Sequence, residues 1–320
     1  MLDLDRAVTD RLLLRTVPGA VDYLFEELRT IPEVTVVSRR PDGLVVDVDG
    51  SLRPLAEVRY FTSAGVLPGD DVLAGLRASA ADGAVSALDE PVRFRVGDVG
   101  DGRWTLRDEL VARGWRNEPG DWDVNIEAGP LAEVGSLHWT KRFGSLLRAP
   151  ASTNPVIASV MVRLAKIEAG QTVLDPMCGA GTLLATAEAM ASGARLLGSD
   201  HDRRWVRATR DNIAAAAKLW RGDARKLPLA DGSVDRMVAN LPFGKRVGSH
   251  TGNKTLYPAV LGELARVLTA KGRAVLLTED KRLFTETVQR TRGLRVIKEI
   301  TFSSGGAHPS AYVVTTRRTR

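Results

Sequence analysis

The chain has 320 residues, of which 44% are hydrophobic and 26% charged, and its size predicts two globular domains rather than a disordered or fibrous protein. It contains no apolar run of the roughly 20 residues that span a bilayer, a single cysteine and four scattered histidines, so we expect a cytoplasmic protein without disulfides, membrane contact or a bound metal. The net charge of +6 is uneven, because residues 1–150 hold 18 Lys and Arg against 25 Asp and Glu while residues 151–320 hold 27 against 14, and the basic second half suits a polyanion.

The first half predicts an α+β domain in which strand-like runs surround two amphipathic helices. The helices are expected at residues 21–29 and 106–113. The predicted strands cover residues 11–16, 34–38, 43–48, 92–96, 124–128 and 133–139.

The second half alternates strand-like runs with helical patterns, which predicts a Rossmann-like α/β sheet of seven strands. Because residues 303–310 are too few for a helical crossover, the last two strands should pair antiparallel. Pro150 and Pro155 mark a boundary, so we assign residues 1–148 and 149–320 to separate domains. The predicted strands cover residues 172–175, 195–199, 219–221, 234–239, 274–278, 294–302 and 311–316, the predicted helices residues 155–169, 182–192, 202–217, 256–268 and 281–290, and residues 240–254 a loop.

The run Asp175-Pro-Met-Cys-Gly-Ala-Gly-Thr182 follows the first strand of the second half and leads into a helix. Open α/β sheets bind ligands at the carboxyl ends of their strands. Gly179 and Gly181 let the backbone approach a ligand closely, and the helix N-terminus beyond them offers free amide donors to a carboxylate. Leu184 stands where a dinucleotide-binding fingerprint requires glycine, so that alternative fails, while a plain structural turn stays open.

Acidic residues also close the next two strands. Asp200 ends the second strand, where a carboxylate can bind both hydroxyls of a ribose. Asp223 follows the third strand beside Ala224 and can accept a hydrogen bond from an adenine amino group. Each acid alone also suits a helix cap or a turn. Three polar strand ends at one edge of the sheet together predict a pocket for an adenosine that carries a charged arm.

The run Asn240-Leu-Pro-Phe243 directly follows the fourth strand. An amino nitrogen conjugated to a base or an amide is a poor nucleophile, because its lone pair is delocalised. The side-chain carbonyl of Asn240 and the backbone carbonyl of Leu241 can each accept one hydrogen of such an NH2 group. Pro242 restricts the backbone, and Phe243 offers a face on which an extruded base can stack. The motif predicts a clamp that positions an amino group for transfer of a methyl group.

From about residue 145 to residue 316 the sequence resembles a class I S-adenosylmethionine-dependent methyltransferase, and Asn240-Leu-Pro-Phe243 is similar to the signature of the members that modify amino nitrogens. The longer run at residues 240–249 resembles the THUMP-domain methyltransferases that form N2-methylguanosine in tRNA, as does Leu137-His-Trp-Thr-Lys-Arg142 followed by residues 151–165. The resemblance implies S-adenosylmethionine as the methyl donor, tRNA as the substrate, and a ferredoxin-like and THUMP-like N-terminal region that grips the acceptor end.

The predicted site divides into three sets of residues. The predicted catalytic residues are Asn240, Leu241, Pro242 and Phe243. Contacts to the donor are predicted at Asp175, Met177, Cys178, Gly179, Gly181, Thr182, Asp200, His201, Asp223, Ala224 and Asn240. Contacts to RNA phosphates are predicted at Lys245, Arg246 and Arg142.

Several alternatives stay open at the level of the sequence. The first half is short for both expected modules and is acidic, so its arginines around Trp104 and Trp115 form either a local basic face or an ordinary solvated surface. The same clamp chemistry suits a ribosomal RNA guanine, an adenine N6 or a protein glutamine, although the basic second half argues against the last. A non-catalytic RNA-binding protein is a further alternative. The modified position, mono- versus dimethylation and the oligomeric state are left open.

Overall fold

A computed structural model describes residues 2–67, 71–97, 99–127, 131–143, 146–149, 151–214, 217–244 and 250–316, without the side chains of Asp101 and His250. It divides into two compact units, Met1–Ser145 and Leu146–Arg320, here called the N-terminal and the C-terminal unit. This division falls close to the boundary predicted after residue 148. None of the helices in the described ranges has the length and apolar character needed to cross a membrane.

The N-terminal unit is an α+β domain built on one mixed sheet, as the sequence predicted. The strand order is β2-β3-β1-β4-β8-β7-β5-β6, where β5 runs parallel to β6 and β7 and the other pairs are antiparallel. The elements are β1 (Ala7–Arg15), α1 (Val21–Leu28), β2 (Val34–Arg40), β3 (Gly43–Ser51), α2 (Arg53–Glu57), β4 (Ser63–Val66), α3 (Val72–Ala81), β5 (Arg93–Val96), α4 (Arg103–Ala112), β6 (Arg116–Asn117), β7 (Val124–Glu127), β8 (Leu131–Val134) and α5 (Trp139–Arg142).

One predicted strand of this unit is wrong over most of its length. A strand was predicted at residues 133–139, yet β8 ends at Val134 and a 3-10 turn follows at Gly135–Leu137. A Cβ atom at Gly135 would lie 2.5 Å from the carbonyl oxygen of Trp122, so only glycine allows this close crossing of the chain. His138 then caps α5, because its ring nitrogen accepts the Thr140 amide at 3.4 Å. The prediction also missed β4 and α3.

The C-terminal unit is a seven-stranded sheet in the order β11-β10-β9-β12-β13-β15-β14. The first five strands are parallel, and β15 pairs antiparallel with both β13 and β14. The predicted sheet and its final antiparallel pair are therefore confirmed. The elements are α6 (Pro155–Ala165), β9 (Thr172–Asp175), α7 (Thr182–Met190), β10 (Arg195–Asp200), α8 (Arg203–Asn212), β11 (Lys218–Arg221), β12 (Val234–Asn240), α9 (His250–Val267), β13 (Leu268–Thr278), α10 (Lys281–Arg290), β14 (Leu294–Thr301) and β15 (Ser310–Thr316).

Burial explains why the central strands have this composition. All four residues of β9 are buried, and ten of the eleven residues of α6 are buried as well. A parallel strand covered on both faces has no solvent side, so its sequence is apolar until its carboxyl end. Removal of each fully buried side chain of this kind from water contributes about 1.5–3 kcal/mol. The apolar core therefore fixes the strands, and the polar residues lie at one edge.

Several element boundaries of the C-terminal unit differ from the predictions: α6 ends at Ala165 rather than at residue 169, and β13 begins at Leu268 rather than at residue 274. Helix α9 begins at His250 rather than at residue 256, so the predicted loop at 240–254 is shorter, and its residues 245–249 lie outside the described residues. Helix α8 ends at Asn212, five residues before the predicted end at Ala217. The Asn212 side-chain amide donates to the carbonyls of Ala180 and Leu147, at 2.7 Å and 2.8 Å, so the residue ties the end of the helix to the rest of the unit.

Candidate active site

Four of the predicted polar residues lie at one edge of the C-terminal sheet. Asp175 ends β9, Asp200 ends β10 and Asn240 ends β12, while Asp223 follows the end of β11. The strand order places these four strands side by side, and adjacent strands are about 4.8 Å apart. The parallel sheet therefore gathers at one edge residues that are up to 65 positions apart in the chain.

The turn between β9 and α7 has a conformation that depends on glycine. Gly179 and Gly181 have φ angles of +53° and +84°, which side chains other than glycine rarely adopt. A Cβ atom at Gly181 would also lie 2.7 Å from Cγ2 of Thr209. Thr209 in turn donates its hydroxyl to the Gly179 carbonyl at 2.7 Å. The first residue of α7 is Thr182, and no side chain caps this helix, so its first amides are free to bind a carboxylate.

Asp200 joins this turn to the end of β10. One carboxylate oxygen accepts the Gly179 amide at 3.0 Å and the other accepts the Asp202 amide at 3.0 Å. The His201 ring nitrogen lies 3.2 Å from the same carboxylate, although the His201 side chain itself is 86% exposed. Each carboxylate oxygen retains a further lone pair. Asp200 can therefore hold the turn and still accept hydrogen bonds from a ligand.

Asp175 is the most deeply buried acid of the site. Only 1% of the residue is exposed, and its carboxylate accepts the Met177 amide at 3.1 Å. Burial raises the pKa of the Asp175 carboxyl to about 8, and the negative charge of Asp200 adds to the rise. No ion pair to this carboxyl occurs in the described ranges. A cationic group bound beside it would supply the missing countercharge and lower the pKa.

Asp223, in contrast, is half exposed and already paired. Its carboxylate accepts the amide of Arg225 at 2.9 Å and the guanidinium Nη2 at 2.7 Å. The hydrogen bonds from the Arg225 side chain hold the pKa of Asp223 below its usual range. Ala224 beside it is buried and packs against the core. Cys178 was also predicted to contact the methyl donor. Burial raises the pKa of its thiol, so the side chain that it adds to the turn is uncharged.

The Asn240 side chain has one end anchored and one end without a partner. Its Nδ2 donates to the Ala151 carbonyl at 3.3 Å and to Oγ1 of Thr153 at 3.1 Å. Because a carbonyl oxygen only accepts hydrogen bonds, the Ala151 contact fixes which end of the amide carries the nitrogen. Oδ1 is buried and has no hydrogen-bond donor in the part of the chain that the structure describes. A buried acceptor left in this state costs about 1–3 kcal/mol.

The residues after Asn240 are held by buried side chains of α9. The Leu241 amide donates to the Leu277 carbonyl at 2.9 Å. The Pro242 carbonyl accepts both Nδ2 of Asn253 at 2.8 Å and the hydroxyl of Tyr257 at 2.9 Å. Asn253 and Tyr257 are each 1% exposed. The sequence analysis missed both, although their spacing of four residues puts them on one face of a helix.

The predicted RNA contacts have different outcomes. Lys245 and Arg246 lie outside the described residues. Arg142 lies in the N-terminal unit, where it donates to the carbonyls of Val58, Phe61 and Leu137. Its guanidinium is centred 3.6 Å from the Phe61 ring, and burial lowers its pKa to about 9. Its donors are used within the N-terminal unit, so the structure gives it a role in packing and no support for a phosphate contact.

The sequence analysis did not single out the arginines of α8. Arg203, Arg207 and Arg210 are exposed and follow the helical spacing of one face. Within the described ranges none of the three forms an ion pair, whereas Arg204 is paired with Asp202 at 2.6 Å. These three residues are called the α8 arginines below. The helix that carries them begins at Arg203, three residues after Asp200.

Known proteins resemble this chain in sequence over about half of its length. A family profile described as UPF0020, RMKL-like methyltransferase domain, matches residues 146–310. The tRNA (guanine(6)-N(2))-methyltransferase THUMP3 of Homo sapiens is 34% identical over 185 residues, which cover 52% of this chain and 36% of that protein. The tRNA (guanine(6)-N2)-methyltransferase of Thermus thermophilus is 32% identical over 168 residues, which cover 51% of this chain and 50% of that protein.

Among solved structures, TrmN from Thermus thermophilus superposes with a TM-score of 0.71 and 24% identity, covering 96% of this chain and 99% of that chain. This likeness shows the fold. The sequence matches span at most half the length of the two curated relatives.

Proposed function

The chain belongs to the RMKL-like methyltransferase domain family, and on that premise we propose that it transfers a methyl group from S-adenosylmethionine to the exocyclic N2 of a guanosine in tRNA. The observation that carries the proposal is the anchored Asn240 amide, whose buried Oδ1 lacks a donor. The names of the relatives, which are tRNA guanine-N2 methyltransferases, support guanosine in tRNA as the substrate.

The residues of the sheet edge suit the donor. S-adenosylmethionine supplies an electrophilic methyl group on a sulfonium, together with an adenosine, a carboxylate and an ammonium. The glycine turn has no side chain where a ligand would lie, and the uncapped N-terminus of α7 suits the carboxylate. Asp200 would accept from the ribose hydroxyls, and the buried, uncompensated Asp175 suits the ammonium. Asp223 and Ala224 would contact the adenine, with Asp223 shared with Arg225.

The clamp acts by positioning the amino group. Asn240 Oδ1 and the Leu241 carbonyl would each accept one hydrogen of the guanine NH2, and Phe243 would stack on the base. The nitrogen lone pair then forms the bond to the methyl carbon, the electrons of the carbon–sulfur bond stay on sulfur, and the nitrogen loses one proton to solvent. Alignment of two reactants can lower a barrier by about 7–11 kcal/mol. A strong base before the transfer is not required.

The burial of Oδ1 in the free chain also constrains how the base arrives. A base that reaches this atom has to displace the groups that cover it. The hydrogen bond formed then satisfies an acceptor whose isolation costs about 1–3 kcal/mol. Binding of a base with an NH2 group is thereby favoured over binding of a base with a carbonyl at that position, which would face Oδ1 with a second acceptor.

The charges of the C-terminal unit favour RNA over a protein glutamine. Residues 151–320 hold 27 Lys and Arg against 14 Asp and Glu, and the α8 arginines lack ion-pair partners in the part of the chain that is described. Exposed unpaired arginines bind phosphates, and the release of counterions adds affinity. Lys245 and Arg246 remain part of the proposal as phosphate contacts. A cytoplasmic location is also part of it.

We extend the proposal to the N-terminal unit as a THUMP-like, RNA-binding region. Trp104 is 59% exposed, and the guanidinium groups of Arg103 and Arg107 lie 5.3 Å and 4.8 Å from its ring. These three residues and Arg95 line a cleft of ≈ 500 Å³. An exposed tryptophan between arginines offers a stacking surface for an unpaired base and cations for its phosphates. Arg95 and Arg107 have acidic partners in Glu127 and Asp108, so Arg103, which has no ion pair among the described residues, is the cation that supports a basic face.

The proposal is tested by incubating the full chain with unmodified tRNA transcripts and methyl-labelled S-adenosylmethionine, followed by mass spectrometry of the nucleosides. We expect label in N2-methylguanosine. Label in N6-methyladenosine would assign the clamp to adenine, and label recovered only in protein would assign it to glutamine. Absence of label from every fraction, with the donor bound, would refute methyl transfer by this chain.

A further inference from the structure

The orientation of the Asn240 amide depends on the segment before α6, which lies outside the Asn240-Leu-Pro-Phe243 motif. We propose that Thr153 is a positioning residue, whose hydroxyl holds the Asn240 carboxamide so that Oδ1 faces the target amino group. This inference rests on the proposed methyl transfer. Thr153 and Asn240 are 87 positions apart in the chain.

Both hydrogens of the Asn240 side-chain amide are used in hydrogen bonds. The Asn240 Nδ2 donates one hydrogen bond to the Ala151 carbonyl at 3.3 Å and one to Thr153 Oγ1 at 3.1 Å. A primary amide has two N–H donors and is planar. Once both donors are engaged, the direction of Oδ1 is fixed as well. In this orientation Oδ1 is buried and has no hydrogen-bond donor among the described residues.

The alternative orientation of the Asn240 amide is unfavourable. Rotation of the amide by half a turn would place Oδ1 against the Ala151 carbonyl, where two acceptors repel each other. It would also present Nδ2 to the target base, where a donor would meet the hydrogens of the NH2 group. The Ala151 carbonyl therefore selects the orientation that accepts a hydrogen bond, and the Thr153 hydroxyl, which can accept or donate, adds a second contact that holds the amide in that orientation. The Ala151 carbonyl alone is the weaker anchor, because its 3.3 Å contact is longer than the common range for N–H···O bonds.

Thr153 is itself held in place by its surroundings. It is 6% exposed, and its carbonyl accepts Nη2 of Arg148 at 3.2 Å. The next residue, Asn154, caps α6 by accepting the Val156 amide at 2.9 Å. Because α6 is almost wholly buried, its first turn is a rigid base. The Thr153 hydroxyl is thus fixed by the fold rather than by a flexible loop.

The test compares Thr153→Val, which keeps the shape and loses the hydroxyl, with Thr153→Ser, which keeps the hydroxyl. Single-turnover methyl transfer is measured with enzyme and donor in saturating excess over tRNA, together with the Kd for S-adenosylmethionine by calorimetry. For Thr153→Val we expect a rate about twofold to tenfold lower, the fold-change of one net hydrogen bond. For Thr153→Ser we expect a rate within twofold of the wild type. The donor Kd should stay within twofold in both.

A double-mutant cycle separates a positioning role from a general structural one. In an Asn240→Ala background, followed with enzyme in excess to detect slow turnover, Thr153→Val should cost no further rate, because there is no amide left to orient. An equal loss in both backgrounds would overturn the inference. So would an unchanged rate in Thr153→Val, or a loss of donor affinity as large as the loss of rate.

Two further outcomes keep the inference apart from the proposed function. If Thr153→Val does not fold, Thr153→Ala is measured instead against Thr153→Ser, and equal rates in those two variants would overturn the inference. If the wild-type chain binds the donor but methylates no nucleoside, the proposed function fails. Wild-type activity with an indifferent Thr153 leaves the proposed function standing and removes only the role of this residue.

Discussion

The buried carboxyl of Asp175 makes a quantitative prediction about binding of the methyl donor. Its pKa is about 8 in the free chain, because burial disfavours the charged form. At pH 7 a group with this pKa is about 90% protonated, and at pH 9 about 10%. A bound ammonium beside the carboxyl favours the charged form. If binding lowers the pKa below about 6, close to 0.9 proton is released per donor bound at pH 7, and about 0.1 at pH 9.

The sign of the pH dependence follows from the same linkage. Binding favours the deprotonated carboxyl, so affinity for the donor should rise with pH, by up to about tenfold per unit between pH 6 and 8, and level off above pH 8. The proton count is measured by calorimetry in two buffers of different ionisation enthalpy. Asp175→Asn, which is neutral and nearly isosteric, is the matched control. At pH 7 an α-amino group is mostly protonated before it binds, so most of the difference between the two proteins at this pH comes from Asp175.

The reasoning is refuted if wild type and Asp175→Asn release the same number of protons at pH 7 within about 0.2. Such a result would mean that the carboxyl is already charged in the free chain, or that the ammonium binds elsewhere. A difference close to 0.9 at pH 7 would confirm both the raised pKa and its place beside the cationic end of the donor.

Three further predictions concern other parts of the site. Asp200→Ala should weaken donor affinity about tenfold or more, through loss of hydrogen bonds to the ribose, and unchanged affinity in calorimetry would remove that assignment. Gly181→Ala should lower the free energy of unfolding, measured with denaturant, by about 1–3 kcal/mol more than Gly232→Ala does. Both glycines have a positive φ, but only at position 181 would the new Cβ atom press against Thr209. Equal losses in the two variants would contradict this contact. Replacement of the three α8 arginines by alanine should reduce the slope of log affinity for tRNA against log salt concentration by about 2–3. The control Arg282→Ala removes a guanidinium paired with Glu286 and should change this slope little. Equal slopes in the triple variant and the wild type would place the RNA elsewhere.

The sequence predicted the sheet edge well, because each of its signals is local. Asp175, Asp200 and Asn240 are each the last residue of a strand, and parallel strands bring their carboxyl ends to one edge whatever the length of the helices between them. The antiparallel pair at the end of the chain was equally predictable, since its connection is too short for a crossover.

The contacts that orient the clamp could not be predicted in this way. Thr153 meets Asn240 across 87 positions, and no period or spacing connects them. Asn253 and Tyr257 lie in a stretch expected to be partly loop, so their buried face on α9 was not recognised. At residues 133–139 a strand was predicted, but the chain crosses the Trp122 backbone closely at Gly135, where β8 has already ended. In each case a tertiary contact decided the outcome.

The central claim is that a fixed carbonyl at the end of β12 positions an amino group for methyl transfer. Asn240→Ala tests it most directly, with single-turnover transfer to tRNA and donor affinity measured on the same preparation. We predict that the single-turnover rate falls about 100-fold or more, while the donor Kd changes by no more than a few fold. Retention of near wild-type transfer, or a loss of donor affinity that accounts for the whole loss of rate, would contradict the claim.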